Sequence, residues 1–158
     1  MQLQGIDTAN GGDGVVGRNH SHWLKESMVK TVAVGGPGTV QLFMLSYILQ
    51  QNGMAMQDVF RTTMGAQPAA QSFVAGQGDA AVTYEPYLST VRAKAEAGKI
   101  LVTSKDYPVV VDTLVFRKDF IQKNQKIVKA AVDSFFEALD MIKKEPARAE
   151  ERTGKAVQ

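Results

Sequence analysis

Lys30-Thr31-Val32-Ala33-Val34-Gly35-Gly36-Pro37-Gly38-Thr39 is the stretch on which the fold turns. Its first half is a compact β-branched run, and its second half is a glycine-rich turn that no strand continues through. From Thr39 to Gln51, apolar residues recur at Val40, Phe43, Met44, Tyr47 and Ile48, a helical spacing. Strand, glycine loop and helix in that order open a βαβ unit. The alternation then repeats: Val59 to Met64 reads as a strand, Gln67 to Ala75 as a helix, Ala80 to Tyr84 as a strand, Pro86 to Ala97 as a helix and Ile100 to Thr103 as a strand. This predicts an α/β fold, a mostly parallel sheet flanked by helices on both faces. Gly53, Gly76 and Gly98 each stand where a helix should end, which predicts left-handed C-caps.

On the N-terminal side, Asp7-Thr8-Ala9-Asn10-Gly11-Gly12-Asp13-Gly14 describes an irregular turn leading into a short strand at Val15-Val16. On the C-terminal side, Val109 through Phe116 reads as an apolar strand carrying Asp112, which needs a partner if buried. Between Lys126 and Lys143, Val128, Val132, Phe135, Leu139 and Ile142 recur at intervals of three and four, predicting an amphipathic helix that ends before Pro146. Some surface must cover that face. The expected organisation is a crossing strand and link over 1–30, an α/β ligand-binding lobe over 31–105, and a return strand with C-terminal helices over 106–158.

Composition sets the outer limits. A chain of 158 residues, 44% hydrophobic and 22% charged, is long enough for a core and too apolar for disorder. Its 18 basic side chains against 16 acidic leave a surplus too small to neutralise a run of phosphates, which excludes a nucleic-acid footprint. With no cysteine, disulfides, thiolate metal sites and cysteine nucleophiles are all excluded. No stretch approaches the roughly 20 apolar residues of a membrane span, and Met1-Gln2-Leu3-Gln4 has neither a charged nor an apolar leader region, so no signal for export is expected.

Four groups of residues are candidates for chemistry. The turn Gly35 to Thr39 lies between a strand and a helix, where free N–H groups and the helix dipole attract an anion, although it lacks the Walker lysine and any dinucleotide fingerprint. Thr39 serves equally well as a simple N-cap. Tyr84-Glu85-Pro86-Tyr87 closes a strand at the edge where ligands of open sheets collect, and reads either as pocket lining or as a helix start with Pro86 at the first position and Glu85 against the dipole. Asp7, Asn10, Asp13 and Asp112 are candidates for a polar seam, where Asp112 serves equally well as a structural hydrogen-bonding group. His20 and His22 lack further adjacent ligands except Glu26, so no metal is expected. No triad and no matched carboxylate pair is present, and no cofactor is expected.

Asp7 to Gly14, Lys30 to Thr39 and Phe73-Val74-Ala75-Gly76-Gln77-Gly78-Asp79-Ala80-Ala81-Val82-Thr83-Tyr84-Glu85-Pro86-Tyr87 together resemble the substrate-binding proteins of ABC importers, in the nitrate, sulfonate and taurine group that includes thiamine-precursor binders. The resemblance implies one lobe of a type II periplasmic-binding-protein-like fold with crossing strands, the family's first lobe being missing. It implies that Gly36, Gly38 and Thr39 contact an anionic group, that Tyr84 and Glu85 line the cleft, and that Asn10, Asp13 and Asp112 lie near the crossing strands. Asn19 to Val29, with His20, His22 and Trp23, departs from the family's usual link.

A binding module for a small anionic solute, working with an ABC permease, is the first reading; its location is periplasmic by resemblance, with the cytoplasm as the alternative where no export signal is expected. The family's pyrimidine-synthase branch depends on a cysteine-rich motif and is excluded by the absence of cysteine. The alternative is an interaction protein derived from a decayed receptor, self-associating through its C-terminal helices without transport. A homo-oligomer is expected in either case; otherwise the 126–143 helix folds back on its own lobe through a flexible link near Asp119 to Asn124.

Overall fold

The computed structural model describes residues 2–20 and 31–156. In chain order the elements are β1 (Gln2–Thr8), β2 (Asp13–Gly17), β3 (Thr31–Val34), α1 (Val40–Gln51), β4 (Phe60–Thr63), α2 (Ala66–Val74), β5 (Ala80–Tyr84), α3 (Tyr87–Arg92), β6 (Lys99–Thr103), β7 (Val111–Phe116), α4 (Lys118–Lys123), α5 (Gln125–Lys144) and α6 (Pro146–Ala156). They divide into two units, Thr8–Val110 and Met1–Asp7 with Val111–Gln158.

The larger unit is a five-stranded sheet in the order β4-β3-β5-β2-β6. Strand β3 runs parallel to β4 and β5, while β2 runs antiparallel to both β5 and β6, so four strands share one direction and β2 opposes them. The alternation of side chains across the pleat divides the core in two. Val15, Val32, Val34, Ala80 and Val82 pack with Met44, Leu45, Ile48 and Leu49 of α1. Val16, Ala33 and Ala81 pack on the opposite side with Ala69, Ala70 and Phe73 of α2 and Leu88 and Val91 of α3. Burial of both faces explains why β3 and β5 are continuous apolar runs rather than alternating ones. Edge strand β4 is exposed throughout.

Several details differ from the sequence reading. Gly53 and Gly76 adopt the left-handed conformation at φ 69° and 88°, but Gly98 does not. Gly98 is a close-approach glycine: a Cβ there would collide with the Gly17 carbonyl and stand 2.5 Å from Phe73 Cζ. Helix α3 stops at Arg92 rather than Ala97, and Pro86 stands at the cap position rather than inside it. The backbone beyond continues in turns, Lys94 N donating to Val91 O and Ala97 N to Lys94 O, and side chains hold it as well: Asn19 Nδ2 donates to Ala95 O at 2.8 Å and Arg18 Nη1 to Ala97 O at 3.0 Å. That guanidinium also donates to Phe73 O, Gln77 O and Gly78 O, and stacks 4.1 Å over the Phe73 ring.

In the smaller unit β1 and β7 form a two-stranded sheet. The apolar run enters a strand only at Val111, and Asp112 is exposed, so its position demands no buried partner. The expected flexible link near Asp119 to Asn124 is mostly helix α4, braced by an Arg117–Asp119 ion pair and a Phe116–Phe120 stack. Pro146 both ends α5 and opens α6, at the first helical position that its missing N–H permits.

Candidate functional site

Chain direction places the carboxyl ends of β3, β4, β5 and β6 and the start of β2 at one edge of the larger unit's sheet. Gly36, Gly38, Thr39, Glu85 and Asn10 belong to the turns at that edge, and Tyr84 and Asp13 are the strand ends beside them; Asp112 lies on β7 in the other unit. His20 is exposed, whereas His22, Trp23 and Glu26 lie outside the described residues.

The turn after β3 is built around Thr39. Its Oγ1 donates to Gly36 O at 2.8 Å and accepts from Leu42 N at 3.3 Å, capping α1. A side chain on Gly35 would meet that hydroxyl at 2.5 Å, and Gly38 takes φ 82°, so glycine is required at both positions. The N–H groups of Val40 and Gln41 meet no acceptor among the described residues. Helix α1 contains no charged residue, so its positive end is not offset from within. A cavity of about 450 Å³ opens beside this turn, lined by Val34, Gly35, Gly36, Pro37 and Leu42 on one side and by Val59, Phe60, Arg61 and Thr63 on the other.

The neighbouring turns are tied together. Tyr84 pairs with Asp13 across the β2–β5 ladder, and Glu85 N donates to Gly12 O at 2.8 Å. Buried Ser104 accepts from Gly11 N at 3.0 Å and Asp13 N at 3.3 Å through its Oγ. The Tyr84 ring is part-exposed and lies 5.7 Å from Tyr87. Glu85 is engaged by its own helix, accepting from Ser89 N at 2.9 Å and Arg92 Nη1 at 3.1 Å. Burial raises its pKa, but the hydrogen bonds from Ser89 and the Arg92 charge together outweigh burial and hold the carboxyl below its ordinary value.

Arg61 and Thr63 escaped the sequence reading, as did Ser104. The signal for Arg61 was present, since a charged residue within an apolar strand marks a sheet edge. No group of three or more His, Asp or Glu residues is placed to hold a metal among the described residues, and no described helix is long and apolar enough to cross a membrane.

This sheet order and its flanking helices match the periplasmic-binding-protein fold. The periplasmic aliphatic sulphonate binding protein SsuA from Escherichia coli superposes with a TM-score of 0.79 at 18% identity, over 97% of this chain and 53% of that one. The putative sulfonate ABC transporter periplasmic sulfonate-binding protein SsuA from Methylobacillus flagellatus KT gives 0.73 at 18% identity, over 95% and 46%. The periplasmic nitrate-binding protein NrtA from Synechocystis PCC 6803 gives 0.61 at 22% identity, over 84% and 38%. The chain thus spans about half the length of the sulfonate-binding proteins it matches. The model of the NMT1-like family matches residues 2–154, and the chain belongs to that family. No curated protein sequence matches it.

Proposed function

We propose that the Thr8–Val110 unit binds a small oxyanion of sulfonate, nitrate or carboxylate type at Gly36, Gly38 and Thr39, and that the chain serves as part of the periplasmic solute-binding component of an ABC importer. The observation that carries this reading is the open N-terminus of α1 beside a cavity, with the Val40 and Gln41 N–H groups unpaired among the described residues. Tyr84 forms a neighbouring wall, and Asn10 and Asp13 the adjoining turn. Glu85, occupied by α3, shapes the rim rather than meeting an anion. Asp112 belongs to the crossing strands. No catalysis is assigned to any of these groups. Thermal-shift screening with nitrate, sulfonates and carboxylates tests the reading; stabilisation should disappear in a Gly38→Val, Thr39→Val double variant, and its survival would move the site elsewhere.

A second reading, self-association of an interaction protein, is favoured by α5, none of whose side chains is buried. Val128, Val132, Phe135 and Leu139 remain part-exposed and Ile142 is 46% exposed. Association through this face is compatible with either function. Light scattering should show a dimer or larger species at micromolar concentration that Phe135→Glu weakens; a monomer insensitive to that substitution removes this reading.

A further inference from the structure

The chain has four asparagines, and one of them stands in a different environment from the rest. Asn19 Nδ2 donates to Ala95 O at 2.8 Å, Asn52 Nδ2 to Ile48 O at 2.7 Å and Tyr107 Oη at 3.1 Å, and Asn124 Nδ2 to Phe120 O at 3.0 Å. The Asn10 side chain, exposed on the turn before β2, makes no hydrogen bond among the described residues. Asn10 and Asn52 are also the two asparagines followed by glycine. That neighbour matters chemically, because no side chain beside the glycine nitrogen shields it from the preceding carboxamide. The surroundings of Gly11 are open as well, since a Cβ there would meet only Lys105 Cβ, at 3.9 Å. Both glycine N–H groups are engaged, Gly11 N donating to Ser104 Oγ at 3.0 Å and Gly53 N to Gln50 O at 3.1 Å, so the two sites differ in their asparagine side chains. Asn52, at the C-cap of α1, must break its side-chain hydrogen bonds before its Cγ can turn towards the next nitrogen. Asn10 has none to break.

We propose that Asn10 is a site of spontaneous deamidation in the folded protein, restrained by the Ser104 hydrogen bond to Gly11 N–H, and that Asn52 is protected. The co-reactant is water. The Gly11 nitrogen, having lost its proton to hydroxide, bonds to Asn10 Cγ; the Cγ–Nδ2 bond breaks, and Nδ2 leaves as ammonia with a proton from water. Water then opens the resulting succinimide at either of the ring's C–N bonds, giving aspartate or isoaspartate. Either product adds a negative charge to the turn, and isoaspartate also lengthens the main chain by one carbon just before the Gly11 and Asp13 N–H groups that Ser104 gathers. The reaction needs no bound solute and stands apart from the oxyanion reading. Ageing the full chain in mildly alkaline buffer, beside a sample held in urea, and mapping its peptides by mass spectrometry tests it. Unfolded, the two Asn-Gly sites should convert at similar rates; folded, Asn10 should outpace Asn52 by roughly 30-fold, the effect of two ordinary hydrogen bonds. Ser104→Ala should quicken Asn10 by about fivefold and leave Asn52 unchanged. Similar rates at the two sites in the folded protein, or an intact Asn10 under conditions that convert the unfolded chain, would overturn the assignment. A Ser104→Ala variant reacting at the wild-type rate would overturn the restraint given to Ser104.

Discussion

Replacing Gly98 by alanine adds one methyl group at a point where three elements converge. Its Cβ would collide with the carbonyl of Gly17 on β2 and stand 2.5 and 2.8 Å from two carbons of the Phe73 ring on α2. None of these is the loose end of a side chain. The Gly17 carbonyl belongs to the sheet, and Phe73 is 1% exposed with the Arg18 guanidinium 4.1 Å over its face. Overpacking of this kind costs ~1–3 kcal/mol, and a site closed by backbone falls in the upper part of that range. Alanine also restricts the unfolded chain, which returns ~0.4–1 kcal/mol. The net expectation is destabilisation of about 2 kcal/mol, or a fall of about 1 M in the urea midpoint followed by circular dichroism. Gly53→Ala is the control: its φ of 69° is strained for alanine, but no atom lies within 4 Å of the added carbon. That variant should lose ~1–2 kcal/mol of stability, all of it to backbone strain. Pairing Gly98→Ala with Phe73→Leu should recover part of the loss, whereas pairing Gly53→Ala with Phe73→Leu should not. A Gly98→Ala midpoint within error of the wild type would refute the close-approach assignment.

Arg18→Lys keeps the charge but cannot serve the carbonyls of Phe73, Gln77, Gly78 and Ala97 together, and should cost about 2–3 kcal/mol with faster amide exchange around Gly76 to Asp79; unchanged exchange there would contradict the clamp. The lowered pKa of Glu85 gives stability that is present above its ordinary value of 4.5 and lost as the pH falls through its folded value, an effect held below about 1 kcal/mol by solvent screening. Glu85→Gln should therefore flatten the acid limb of stability against pH, and an identical limb would remove the assignment. Thr39→Val removes the α1 cap and should cost about 1 kcal/mol by urea denaturation, while Thr39→Ser should retain most of it.

What was legible in the sequence depended on whether the signal carried direction. Ala80 to Tyr84 and the Thr39-capped helix were readable because periodicity and capping chemistry are local. The opposed course of β2 was not, since Val15 and Val16 fill the two halves of the core whichever way the strand runs. A glycine after a helix likewise has two causes. Gly76 needs a positive φ, whereas Gly98 needs empty space, and only the tertiary approach of Gly17 and Phe73 distinguishes them. Helix α4 has six residues, too few for apolar spacing to register, and α6 is too polar for its pattern to stand out.

The same distinction separates the readable part of the candidate site from the rest. Gly36, Gly38 and Thr39 announce a helix entrance through residue types that such a turn demands on its own. Arg61 and Phe60 acquire meaning only when β4 becomes the outermost strand, since the same two residues in a central strand would be buried and would conflict with its packing. Edge position turns Phe60 from a core residue into an exposed ring and leaves Arg61 beside a cavity with no ion pair among the described residues. The charge-attracting turn is therefore a property of local sequence, while the exposure of Arg61 and Phe60 is a property of strand order.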